Sequence, residues 1–140
     1  MIQEDYVSFE TAKLLKEKGF DVPCNTFFVV GENKKDRTKE RFSYSSVIAD
    51  RNSYNSELPE HEYVSAPTLQ TAMKWLREVH NLSVEVYRTA CGYVSCIVAI
   101  PSGTDIKFLE EEGDDLPSGQ YTTWDKACEA GIKYSLENLI

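Results

Sequence analysis

The stretch "PTLQTAMKWLREVHN", residues 67–81, passes without a break into "LSVEVY". On a 3.6-residue period Leu69, Ala72, Met73, Trp75, Leu76 and Val79 fall on one broad face, with Gln70, Thr71, Lys74, Arg77 and Glu78 opposite. Thr68 is placed to cap this helix, Pro67 disfavours helical backbone at Ala66, and Lys74 meets Glu78 one turn on. The period then drops to two, as Leu82, Val84 and Val86 alternate with Ser83, Glu85 and Tyr87. A helix from Leu69 to about His80, ended by "HN" and followed directly by a half-buried strand, has to pack on a sheet. The class is α+β.

The rest of the chain extends that pattern. Ser8 is an N-cap, "FETAKLLKEK" follows, and Gly19 suits the left-handed position after a helix, with Phe20 behind it. Phe9, Ala12 and Leu15 make its apolar stripe, and Leu14 lies off it. "NTFFVV", residues 25–30, is apolar on both faces, as a central or covered strand is. The polar turn "GENKKDRTKER" separates it from a second strand, "FSYSSVI". Residues 50–62 read as a long loop.

Beyond "TACG", "YVSCIVAI" returns as a strand that Pro101 and Gly103 end, and "DIKFL" is a short further strand before the acidic loop "EEEGDD". Thr122 and Asp125 form a capping box for a last helix from about Thr123 to Asn138. Ala127, Gly131 and Ser135 place a strip of small residues along it, suited to close approach by the protein's own sheet or by a second subunit. The predicted order is α-β-β-α-β-β-(β)-α. The expectation is one globular domain over residues 1–140, with an antiparallel sheet of four to five strands and helices packed on it. "TAKLLKEKGFDV" and "TAMKWLREVHNLSV" echo each other, as two α-β-β units sharing that sheet would.

Three segments, "YVSFETAKLLKEKGF", "SAPTLQTAMKWLREVHN" and "KACEAGIKYSLENLI", resemble a family of short proteins without assigned activity found in gut Bacteroidales genomes and in their phages and prophages. The likeness covers about half the chain, concentrated in the helices. It implies a small intracellular accessory protein of phage or mobile-element origin, and it implies no mechanism.

Composition narrows the function classes. A formal charge of -8 over 140 residues disfavours a general binder of nucleic acid or anionic membrane. "FFVV" and "CIVAI" are too short to cross a bilayer, and "MIQEDYVSFE" lacks the basic and apolar segments of a secretory signal. A cytoplasmic location follows as the expectation. Cys24, Cys91, Cys96 and Cys128 form no CxxC and read as reduced structural thiols. "EEEGDD" lacks the ligand alternation of a calcium loop. His61 sits between two glutamates, and His80 reads as a terminal or packing residue. No phosphate loop, nucleophile elbow or HExxH occurs, so no catalytic, cofactor or metal residue is assigned and no enzyme is expected.

Two surfaces remain as candidates. Tyr44, Tyr54 and Tyr63, interspersed with Ser and Asn, have the composition of an adaptable protein contact. With Phe28 and Gly131 they form a candidate interaction surface, and a homodimer is favoured over a monomer covered by its own loop. Lys34, Lys35, Arg37, Lys39 and Arg41 are a candidate basic contact, diluted by Asp36 and Glu40. The leading expectation is therefore an interaction protein. The alternative is a nucleic-acid-associated phage protein that uses the basic turn 34–41. Specific duplex DNA binding is not expected.

Overall fold

The computed structural model describes residues 2–29, 41–43, 63–110 and 120–140; at 29, 41–43 and 63 it describes the backbone alone. The chain divides after Thr68 into two compact units.

The first unit opens with α1, Phe9–Glu17. Ser8 caps it, its hydroxyl accepting from the Thr11 N–H at 3.3 Å. At the other end the Phe20 N–H donates to the Leu15 carbonyl (2.9 Å) and the Gly19 N–H to that of Lys16 (3.2 Å). This is the paired closure that needs a left-handed residue, and Gly19 supplies it at φ +89°. Leu15 and Phe20 are both buried, completing the apolar contact across the cap.

Three strands follow: β1 (Thr26–Val29), β2 (Arg41–Ser43) and β3 (Tyr63–Ser65). They pair antiparallel in the order β2-β1-β3. The two-sided apolar strand is thus the central one, and Phe27 and Phe28, on opposite faces of β1, are both buried. The Phe9 ring meets Phe28 edge-on at 5.5 Å.

The second unit holds α2 (Leu69–His80), β4 (Leu82–Thr89), β5 (Gly92–Ala99), β6 (Asp105–Leu109) and α3 (Trp124–Asn138). Asn81 ends α2 in the left-handed region at φ +56°, and its carbonyl accepts from the Ile100 N–H at 3.0 Å. The sheet is antiparallel in the order β4-β5-β6. α3 packs across β4 and β5, and α2 lies against α3 and β4. Gly92, at the hairpin end of β5, makes room for the returning chain. A Cβ there would stand 2.7 Å from the Tyr121 carbonyl oxygen. Tyr93 and Tyr121 exchange backbone hydrogen bonds of 2.8 and 2.9 Å beside it, which fixes the approach to α3.

Three expectations need correction. In place of one sheet of four to five strands, the described residues form two of three strands each. Tyr63–Ser65, too short to show a period, takes the second edge of β1, and that strand has no free side left for a shared sheet. Val79 is 57% exposed although the helical period sets it between the buried Ala72 and Trp75, because it lies in the last turn of α2. The cap of α3 is Thr123, one residue later than expected, and its hydroxyl accepts from the Lys126 N–H at 3.4 Å.

Candidate interaction surface

The strand register sorts the second sheet into two faces. Val84 opposes Ile97, and Val86 opposes Ser95. These residues face α3, since the Ser95 hydroxyl donates to the Ala127 carbonyl at 2.7 Å and Gly131 stands against Val84. The opposite face carries Glu85 and Tyr87 of β4, which oppose Cys96 and Val94 of β5. β6 adds Phe108 opposite Cys96 and Asp105 opposite Val98.

A bulge at Ile106 produces this placement. Lys107 pairs with Ile97 but Asp105 pairs with Val98, so Ile106 has no partner in β5 and the alternation of β6 changes parity. Asp105 and Lys107, two residues apart, consequently lie on opposite faces. On the face away from α3, Tyr87 is 51% and Phe108 54% exposed, while Ser83 and Cys96 are buried and Val94 and Val98 half-buried. The bulged Ile106 is exposed as well. This face sets two solvent-open aromatic side chains on its outer strands around an apolar centre, with the carboxylates of Glu85 and Asp105 beside them.

Of the surface expected from sequence, the residues described in full are Phe28 and Gly131, and both are buried. Phe28 is 8% exposed and packed on Phe9, inside the first unit. Gly131 is spent on the second unit's own sheet: a Cβ there would overlap Val84 Cγ1 and stand 3.2 Å from Ser95 Oγ. Neither offers an outer surface, and of the two partners read for the Ala127, Gly131, Ser135 strip it is the protein's own sheet that the strip meets. Tyr63 pairs with Val29 and Arg41 with Phe28 in the strand register. Tyr44, Tyr54, Lys34, Lys35, Arg37, Lys39 and His61 lie outside the described residues, as do the loop 50–62 and most of "EEEGDD".

All four cysteines are free thiols, three buried and Cys91 exposed in the β4–β5 turn. Burial pushes the Cys24 thiol up to about 11, an effect that a hydrogen bond with Ser65 partly offsets. The Cys96 thiol is raised by burial first and then by the carboxylates of Asp105 and Glu85. Neither is a ready nucleophile. His80 lies edge-on to Trp75 with ring centroids 4.6 Å apart, and its Nε2 is buried without a hydrogen-bond partner, so packing holds the ring. Among the described residues no group of three or more His, Cys, Asp or Glu side chains is placed to hold a metal ion, and no helix is long and apolar enough to cross a membrane.

The sequence signal for this surface was divided. The alternation of β4 puts Tyr87 on the polar side with Glu85, and that much can be read from residues 82–87. The bulge in "DIKFL" leaves no trace in a five-residue strand, so the position of Phe108 beside Cys96 emerges only from the register. No family model, no curated protein and no solved structure matches this chain.

Proposed function

We propose that this chain is a small cytoplasmic accessory protein that works by binding another protein, without catalysis, and that it is of phage or mobile-element origin. The observation that carries the binding role is the face of the β4-β5-β6 sheet away from α3, where Tyr87 and Phe108 stay half-exposed around Val94 and Cys96. Aromatic side chains left open on a sheet face are costly in water and are typical anchors of protein contacts. The resemblance of the three helices to proteins of Bacteroidales phages and prophages supports the origin. The free thiols accord with a reducing compartment. The net charge of -8 weighs against a nucleic-acid partner.

Site-specific photo-crosslinking in the producing cell tests this reading. A benzophenone amino acid in place of Phe108 or Tyr87 should give a discrete crosslinked product. The same group at Lys126 or Glu137, on the exposed side of α3, should not. Equal yields from both pairs of positions, or none from Phe108 and Tyr87, would remove the basis for the proposal.

A further inference from the structure

The charged side chains of the second sheet are sorted by sign. Its acids, Glu85 and Asp105, lie on the open face, in register with Cys96 and Val98. Its bases lie on the helix side: Arg88 rests over the Tyr93 ring at 5.2 Å, and Lys107 stands 5.9 Å from the centre of the Tyr134 ring. No Lys or Arg shares the open face among the described strand residues. The bulge at Ile106 is what makes the sorting complete, because strict alternation would have put Asp105 and Lys107 side by side.

We infer that the open face of β4-β5-β6 docks a polypeptide segment whose apolar side chains are flanked by Lys or Arg. This inference rests on the reading of that face as a docking surface and adds the chemistry of the partner. Phe108 and Tyr87 supply the apolar contact, and Glu85 and Asp105 beside them select positive charge and repel negative. A second copy of the chain fits poorly, since face-to-face pairing sets these carboxylates against their own equivalents. A nucleic-acid backbone meets the same repulsion.

The test uses the full chain and two labelled peptides, one alternating Lys with Val and Phe, the other identical with Glu in place of Lys. Binding is read by fluorescence polarisation at about 150 mM salt, where distant surface charges are largely screened. The lysine peptide should bind at least roughly tenfold more tightly than its glutamate counterpart. The Glu85→Lys, Asp105→Lys double variant should reverse that order. A control double variant, Glu78→Lys with Glu137→Lys on the helices, should leave it unchanged, and Phe108→Ser should weaken the lysine peptide while circular dichroism shows the fold intact. Equal affinity for the two peptides, no binding of the lysine peptide, or the same loss in the control variant overturns the inference. If Phe108→Ser weakens both peptides alike and charge has no effect, the docking face stands and only its preference for a basic partner falls. If Phe108→Ser changes nothing, the docking face itself falls.

Discussion

Gly131 of α3 stands directly against Val84 of β4, so closely that a single added carbon would overlap Val84 Cγ1. The space is closed on a second side by Ser95 Oγ, which its hydrogen bond to the Ala127 carbonyl holds in place. The helix can therefore lie flat on the sheet only with glycine at this position. The small-residue strip has an intramolecular purpose: it brings α3 down onto β4 and β5.

Gly131→Ala sets two effects against each other. Alanine is the better helix former by about 1 kcal/mol. Overpacking a tight contact costs about 1–3 kcal/mol. The contact should win, giving a lower urea midpoint, and in a Val84→Ala background the cost should fall towards zero. A double-mutant cycle reads this as a coupling of about 1 kcal/mol or more. An equal cost in both backgrounds would mean that Val84 is not what excludes the side chain.

Leu76 and Val79 separate the buried centre of the α2 face from its exposed last turn. Leu76 is wholly buried, and Leu76→Asp should cost several kcal/mol out of about 5–15 and unfold the chain. Val79 is mostly exposed, and Val79→Lys should stay within about 0.5 kcal/mol of the parent. Thermal melts followed by circular dichroism decide it. Similar melting of the two variants would contradict the assigned face.

Long, strongly periodic elements were the legible part of this fold. α2 and the first six residues of β4 can be read almost residue by residue, since the helical positions and then residues 82–87 repeat their pattern. Local chemistry also carried through: Ser8, Gly19 and Asn81 sit where caps are needed. Each unit does open with a helix leading into an antiparallel pair of strands, the form that the internal echo suggests. What stayed hidden depends on pairing between distant residues. β3 is too short to show a period, yet it decides that there are two sheets. The bulge at Ile106 is a property of register, and it decides which face Asp105 and Phe108 share with Cys96.

Thiol accessibility follows from the same packing. Cys91 is exposed in the two-residue turn after β4, whereas Cys24, Cys96 and Cys128 are buried. Brief iodoacetamide treatment of the native protein near neutral pH should label Cys91 and spare the other three, and urea should expose them all. Rapid native labelling of Cys96 would show that the face between Glu85 and Phe108 opens in solution.

Cys24 gives the chain a defined alkaline response. Its thiol donates to the Val22 carbonyl at 3.3 Å, and burial raises it from the ordinary 9.0 to about 11 in the folded state. Below pH 9 the thiol is protonated whether the chain is folded or not, and its titration adds no pH dependence to stability. Between pH 9 and about 11 the unfolded thiol has ionised while the folded one keeps its proton, so the unfolded state binds fewer protons and stability falls as pH rises. The slope is at most about 1.4 kcal/mol per pH unit, for a total of about 3 kcal/mol. Other groups titrate in this range, so the comparison is with Cys24→Ala, which shares them all. The variant should be the less stable protein at pH 7.5, and its deficit should shrink steadily in urea melts taken from pH 9 to 11. A deficit that stays constant across that window would show that the thiol of Cys24 ionises equally in both states, and that its burial costs the thiolate nothing.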